Sequence, residues 1–297
     1  MKQLTGAEIA WAAQLACLFE ASIEKPGNVS PRSAFTDMRF EDFLSSAVAI
    51  GPALRDAGRA AVGETIARAA ADTRRLVAVN TNLGLILLLA PLAHATARMS
   101  AGGGDLRREL AGVLRSLTVR DAVLAYEAIR AAAPAGMGET DRHDVHEREV
   151  SVTLLEAMDA ARERDAIARE YVTDFQITFS LGAETVLRCW DDGARFSEAV
   201  LTAFLTILAE TPDTLIARKN GVAVAEDVSR RAARVLAAGG TATAAGRAGL
   251  GDLSAELGDQ AHALNPGTTA DLIAASLFVV LTEGGLLGDV PALTARW

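Results

Sequence analysis

Asn80-Thr81-Asn82-Leu83-Gly84-Leu85-Ile86-Leu87-Leu88-Leu89-Ala90-Pro91-Leu92-Ala93-His94 is the stretch on which the fold turns. Its apolar run from Leu83 to Leu92 looks at first like membrane. A span needs about 20 apolar residues, however, and Pro91 and His94 interrupt this one. The run therefore reads as a buried core helix. Its N-terminus carries two amides and a hydroxyl, where unbonded backbone N–H groups already favour an anion. Simple capping by the same side chains is the alternative reading of Asn80, Thr81 and Asn82.

Composition agrees with helix throughout. Half of the 297 residues are hydrophobic but only 5% are aromatic, alanine and leucine dominate, and β-branched runs are scarce. We expect an all-α chain, one large bundle-like domain over residues 1–297 with buried central helices and a polar pocket at helix ends. A net charge of −9 and a pI near 5.1 argue against nucleic-acid or anionic-membrane binding, since both need a basic face. Cys17 and Cys189 have no Cys-x-x-Cys spacing, so neither a zinc site nor a disulfide framework is expected, and a reducing, cytoplasmic setting is the simpler reading. Nothing at the N-terminus resembles a signal peptide.

Outward from the core helix, the chain punctuates itself with polar turns. Thr5-Gly6-Ala7-Glu8 has capping-box spacing and opens a helix through about Ile23. That helix ends on Glu20-Ala21-Ser22-Ile23-Glu24-Lys25-Pro26-Gly27-Asn28, where Pro26 cannot continue it and Gly27-Asn28 tolerate positive φ. The chain has three lysines against 26 arginines, so a lysine inside such a turn draws notice. Lys25 can meet a phosphate or carboxylate, or simply favour the dipole at a helix C-terminus. Asp37 precedes a helix beginning near Phe40, as an N-cap or as a metal ligand. Further helices are expected over about 62–79, 105–117 and 118–132. Residues 150–187 read as two helices broken near Arg164-Asp165, followed by a helix from about Phe196 to Ala209. Thr211-Pro212-Asp213 opens a short helix with Thr as N-cap and Pro first, ending at Arg218-Lys219-Asn220-Gly221, a local cationic site in an acidic chain. Next come a helix over 222–238, a linker from Gly239 to Gly251, and a last long apolar helix capped by Asn265 with Pro266 first.

Between Ala133 and Glu149 a polar segment holds Asp141, His143, Asp144, His146 and Glu147. No His-Glu-x-x-His arrangement is present, so a zinc hydrolase is disfavoured, while Asp141, Asp144 and Glu147 at spacing of three suit Mg²⁺ with a triphosphate, or mere solvation. All five asparagines, Asn28, Asn80, Asn82, Asn220 and Asn265, lie in these few turns, as the rim of one polar pocket would require. No P-loop, Rossmann fingerprint, nucleophile elbow or repeat period occurs.

Five motifs in order carry a resemblance. Glu20-x-Ser22-x-Glu24-Lys25-Pro26-Gly27-Asn28-Val29, Asp37-Met38, Asn80-Thr81-Asn82-x-Gly84, Pro212-Asp213-x-x-Ile216-x-Arg218-Lys219-x-Gly221 and Asn265-Pro266-Gly267-Thr268-Thr269-Ala270-Asp271 resemble the motif set of the triphosphoribosyl-dephospho-CoA synthase family. The resemblance runs from about Glu20 to Gly285. It implies an all-helical enzyme that joins ATP to 3′-dephospho-CoA with loss of adenine. Citrate-lyase type members tend to read Asn-Thr-His-Lys-Gly where this chain has Asn80-Thr81-Asn82-Leu83-Gly84, and a Gly-Gly-Ser-type run in place of Gly267-Thr268-Thr269. The spelling here is closer to a divergent branch of archaea and one-carbon-metabolising bacteria, which leaves the acceptor open to a related molecule.

For that chemistry we expect Asp37, Asp213 and Asp271 as base or Mg²⁺ ligands, with Asp144 as a further ligand. Lys25, Arg218 and Lys219 are expected on the phosphates. Asn28, Asn80, Asn82 and Asn265 are expected to orient sugar or phosphate oxygens, with Thr268 and Thr269 beside them. An N-glycoside hydrolase acting on a nucleotide or ADP-ribosyl group, with water as acceptor, is one alternative; a helical binding protein without catalysis is another. The subunit number is not fixed by sequence, and a homo-oligomer stays open.

Overall fold

The computed structural model describes residues 3–99, 104–132, 145, 150–258 and 263–297. Asp144 and the other acidic and histidine positions of the 133–149 segment lie outside them. Among the described residues there are sixteen α-helices and no strand. The first half contains α1 (Gly6–Ser22), α2 (Phe40–Ala49), α3 (Gly51–Arg55), α4 (Val62–Leu76), α5 (Leu83–Arg98), α6 (Leu106–Arg115) and α7 (Val119–Ala132). The second contains α8 (Leu154–Ala161), α9 (Ala166–Val172), a π-helical segment Ile177–Ala183, α10 (Glu184–Asp191), α11 (Phe196–Glu210) and α12 (Thr214–Asn220). It continues with α13 (Val222–Ala237), α14 (Ala244–Leu257), α15 (Gly267–Thr282), a 3₁₀ turn Leu286–Asp289 and α16 (Val290–Ala295).

Two helices, α5 and α15, are apolar on nearly every side and occupy the interior, packed against each other and against α1. No single described helix is long and apolar enough to cross a membrane. Pro91 sits within α5 and, lacking an N–H, leaves the Leu87 carbonyl one turn earlier without its helical donor. Tyr171 of α9 supplies the replacement: its Oη donates to the Leu87 carbonyl at 2.6 Å, and burial pushes its phenol pKa up. The proline that argued against a membrane span thus creates the acceptor that fastens α9 to the core helix.

Local capping explains most helix starts. Thr5 Oγ1 accepts from Glu8 N at 3.2 Å and Glu8 Oε2 accepts from Thr5 N at 2.7 Å, the expected capping box. Four expectations need correction. Asp37 does not cap α2; Arg39 is the N-cap residue and its N–H goes to Asp42. The short helix after Pro212 starts at Thr214 under an Asp213 cap, because that carboxylate takes the Leu215 and Ile216 N–H groups. The last core helix begins at Gly267 with Pro266 as its N-cap residue, one position later than the sequence suggests. The Gly239–Gly251 linker is largely helix α14, capped by Thr243.

The segment after α9 was also read too simply. Glu170, fully buried, accepts from Ile177 N at 2.9 Å and Thr178 N at 2.8 Å, while Asp174 and Phe175 take positive φ of 51° and 56°. Ser276 of α15 donates to the Thr178 carbonyl at 3.0 Å. The π-helical turn is therefore set by tertiary partners rather than by its own sequence.

A candidate nucleotide pocket at the ends of the core helices

A cavity of about 550 Å³ opens where the N-termini of α5 and α15 meet the C-terminal turn of α1 and the end of α12. Its wall includes Asn28, Asp37, Asn80, Asn82, Arg218, Lys219, Asn265, Thr268 and Asp271. These nine expected residues come from turns far apart in sequence. Lys25, Asp213 and Thr269 stand behind the wall rather than on it.

The Lys25 turn is a structural staple. The Lys25 side chain is wholly buried; Nζ donates to the Ile23 carbonyl at 2.9 Å and to the Glu20 carbonyl, and pairs with Glu20 Oε1 at 3.0 Å. An ammonium has three donors, and all three are occupied. The expected meeting of Lys25 with phosphate is not what this geometry provides. Glu20 and Glu24 both belong to this turn and either could face the pocket; Glu20 lies on the cavity wall, whereas Glu24 pairs with exposed Arg32 at 2.8 Å. Gly27 follows with φ 74°, and a Cβ there would come within 2.9 Å of both Pro266 and Leu257. That close approach docks the turn on the start of α15 and brings Asn28 to Asn265, Nδ2 donating to Oδ1 at 3.0 Å.

Asp213 fastens two helix starts together. Oδ1 accepts from Leu215 N and Ile216 N at 2.9 and 3.1 Å, and Oδ2 accepts from Thr269 N and Oγ1 at 2.7 and 2.8 Å. With its acceptor capacity taken up in this way, Asp213 positions α12 and α15 and is not placed to act as base or metal ligand. Burial still pushes its pKa up, against those four bonds. Thr268 accepts from Thr214 Oγ1 at 3.1 Å, tightening the same junction from the cavity side.

The α5 end reads as capping and cavity wall together. Asn80 Oδ1 accepts from Leu83 N at 3.1 Å, Asn82 Nδ2 donates to Thr73 Oγ1 at 3.2 Å, and Thr81 bonds Ser46 of α2. The first intrahelical bond of α5 is Ile86 N to the Asn82 carbonyl, so the N–H groups of Gly84 and Leu85 precede it and have no acceptor among the described residues. Gly84 itself is a contact requirement: a Cβ would lie 2.2 Å from Asp271 Oδ2.

Four carboxylates, Glu20, Asp37, Asp165 and Asp271, share the wall with Arg218 and Lys219. Asp271 is half-buried; desolvation first, then Glu20, Asp213 and Asp165, drive its pKa well above the usual carboxylate range, with Arg218 opposing. Cys17, one turn before Glu20, is likewise raised, first by burial and then by Glu20 and Asp271. Arg218 donates to Asp165 Oδ2 at 2.7 Å while its Nε, also buried, has no partner. Burial lowers the Lys219 pKa, and Asp213 and Asp37 pull it back up. Sequence reasoning marks Asp165 only as a helix break; it takes the Glu20-to-Asn28 turn as pocket wall and leaves open whether Glu20 or Glu24 faces inward, and the structure places Glu20 there.

Much of the remaining lining is apolar, with Phe35, Met38, Phe43, Leu87, Ile129 and Ile167. Charged, amide and apolar side chains thus line one cavity, the mixture a nucleotide requires.

The chain matches the family described as ATP:dephospho-CoA triphosphoribosyl transferase over residues 6–288. It is 40% identical to the 2-(5''-triphosphoribosyl)-3'-dephosphocoenzyme-A synthase of Klebsiella pneumoniae over 94 residues, which are 31% of this chain and 32% of that enzyme. A correspondingly named Pseudomonas fluorescens protein is 29% identical over 279 residues, 89% of this chain and 85% of its own. Among solved structures, a triphosphoribosyl-dephospho-CoA synthase from Archaeoglobus fulgidus superposes with TM-score 0.62 at 30% identity, covering 81% of this chain and 99% of that one.

Proposed function

Because the chain belongs to the ATP:dephospho-CoA triphosphoribosyl transferase family, we propose that it moves the triphosphoribosyl group of ATP to a sugar hydroxyl of 3′-dephospho-CoA, or of a related acceptor, and releases adenine. The observation that carries the reading is the buried, unpartnered Arg218 Nε on a cavity wall shared with Lys219 and four carboxylates. An orphaned guanidinium donor has a missing anion as its natural partner.

The reaction breaks the bond between the ribose C1′ and adenine and forms one from C1′ to the acceptor oxygen. Positive charge builds on the sugar as adenine leaves. Arg218 and Lys219 hold the triphosphate, with Thr268 and the open N–H groups of Gly84 and Leu85 as further donors. Asn28, Asn80, Asn82 and Asn265 orient sugar and phosphate oxygens. Asp37, exposed at the mouth, receives the proton of the acceptor hydroxyl, and the departing adenine takes up one proton from solvent, so that the protons balance. Glu20 and Asp271 share that wall, and positive charge developing on the sugar draws the raised Asp271 pKa back down, so that its carboxylate forms as the charge it stabilises appears. Phe35 and Phe43 give adenine an apolar place to rest until release.

Mg²⁺ fits this donor set as an ion brought in with the triphosphate. Among the described residues no three His, Cys, Asp or Glu form a ready metal cluster, but Mg²⁺ is commonly held by one or two carboxylates plus substrate phosphates. Asp271, half-buried among like charges, and Asp37 are the residues that would hold it. When bound, the ion supplies charge to the phosphate oxygens.

Calorimetry tests the binding half of the proposal. ATP is expected to bind with Mg²⁺ present and to weaken on chelation, and Asp37→Ala is expected to reduce adenine release at saturating ATP. Absence of any Mg²⁺-dependent ATP binding would favour the non-catalytic helical binder. Full adenine release by Asp37→Ala would remove Asp37 from the proton-accepting role.

A further inference from the structure

Three buried side-chain atoms among the described residues lack a hydrogen-bond partner: Asn28 Oδ1, Arg218 Nε and Thr178 Oγ1. Two of them belong to residues of the cavity wall. One is a donor, the other an acceptor. Asn28 is only 8% exposed, so its orphaned oxygen carries the full cost of a buried polar group left unpaired.

The direction of the Asn28 amide is set from across the chain. Gly27, pressed against Pro266, lays Asn28 beside Asn265, and Nδ2 donates to Asn265 Oδ1 at 3.0 Å. With its donor face turned to Asn265, this wall residue is left with an unpaired acceptor that a small turn of the amide brings to the cavity. A phosphate oxygen brought there meets a carbonyl oxygen and is repelled. A hydroxyl donates to it.

We infer that Asn28 Oδ1 accepts a hydrogen bond from a ribose hydroxyl of the bound nucleoside triphosphate, and that Asn265 fixes the amide so that this part of the wall reads sugar rather than phosphate. The inference rests on the transferase reading above. Its placement follows from chain order. Asn265 leads through Gly267 into Thr268 and the first turn of α15, on the same wall as Arg218 and Lys219. Phosphates held at those residues leave the ribose, the next unit of the nucleotide, at the amide pair. The base then extends toward Phe35, Met38 and Phe43. The terminal amide torsion of asparagine is broad, so Oδ1 can turn onto the hydroxyl without a change of χ1 well.

The test compares ATP with 2′-deoxy-ATP and 3′-deoxy-ATP as donors, following adenine release with 3′-dephospho-CoA present. Wild type is expected to prefer ATP over at least one deoxy analogue on the order of tenfold to a hundredfold. Asn28→Ala is expected to bring that ratio near one by losing activity on ATP alone. Asn28→Asp, which still presents an acceptor and lets Asn265 turn its own amide to donate, is expected to keep the preference. Equal use of all three nucleotides by wild type, an unchanged ratio in Asn28→Ala, or collapse of the preference in Asn28→Asp would overturn the inference. Dephospho-CoA carries a ribose as well, so calorimetry of each substrate alone separates the two sources. Weakened binding of ATP to Asn28→Ala supports the assignment, and weakening confined to dephospho-CoA contradicts it. Failure of wild type to form any adduct would count against the transferase reading itself, while the ATP calorimetry would still report on Asn28.

Discussion

Gly84→Ala sets two effects against each other. In a helix, alanine is favoured over glycine by about 1 kcal/mol, so propensity alone predicts a more stable protein. The added Cβ, however, would stand 2.2 Å from Asp271 Oδ2 and 2.5 Å from Ile167 Cδ1. Ordinary contact begins near 3.4 Å, so the carboxylate must retreat by 3.4 − 2.2 = 1.2 Å. Overpacking of this kind costs roughly 1–3 kcal/mol, which cancels or exceeds the propensity gain. A displacement near 1 Å at a reacting centre can cost on the order of a hundredfold in rate. Gly112 of α6 is the control, since a Cβ there meets nothing within 4 Å. Urea denaturation and adenine release should be measured on both variants. Gly112→Ala is expected to gain up to about 1 kcal/mol with unchanged activity. Gly84→Ala is expected to be neutral to destabilised by about 2 kcal/mol and to lose most activity. Equal stabilisation of the two with full activity in both would refute the close seat of Asp271 against α5.

Lys25→Met leaves the Glu20 carboxylate buried without its partner, which costs about 3–5 kcal/mol in comparable cases; chemical denaturation should show that loss and a partial recovery in the Lys25→Met, Glu20→Gln pair, whereas a lost ATP affinity with intact stability would mean that Lys25 contacts phosphate. Arg218→Lys keeps the charge but not the fork that serves Asp165 and an anion together, so the KM for ATP should rise roughly tenfold to a hundredfold with acceptor KM little changed. His94, bonded to Thr65 Oγ1 at 3.0 Å, has its pKa lowered to about 4, first by burial and then by Arg98. A histidine that is harder to protonate when folded adds stability that is present above its unfolded value near 6.5 and is lost as pH falls from there toward 4. The 2.5-unit difference corresponds to roughly 3 kcal/mol. Stability measured from pH 7 to 4 should fall less steeply in His94→Leu than in wild type, and identical slopes would contradict the assignment.

How much of this was legible beforehand differs by the range of the forces involved. Capping boxes at Thr5 and the polar turns before α5 and α15 are local, and the sequence displays them. The role of Asp213 is not local. Its cap of α12 lies two residues beyond the expected Thr211, but its second oxygen is claimed by Thr269, 56 positions on. The Lys25 turn reads as special for a sound reason but meets a different partner, because three short-range acceptors on Glu20 and Ile23, at the end of α1, satisfy its ammonium before any ligand could. Helix α14 reads as linker through Gly246, Gly249 and Gly251, each unfavourable for helix. Packing reverses that: Leu253 and Leu257 are buried, and Gly246 lies so close to Gly240 that no side chain would fit. The π-helical turn has no local signature, since Glu170 and Ser276 impose it. The pocket residues were found because asparagines and scarce lysines mark helix ends, while Asp165 was missed because its meaning depends on Arg218.

The most direct test is product analysis by chromatography and mass spectrometry after incubation with Mg-ATP, with and without 3′-dephospho-CoA. The account predicts adenine in equal amount to a triphosphoribosyl adduct of the acceptor, formed only when both substrates are present. Adenine released from ATP alone, with free triphosphoribose and no adduct, would make the protein a hydrolase, and no adenine under either condition would contradict the catalytic reading altogether.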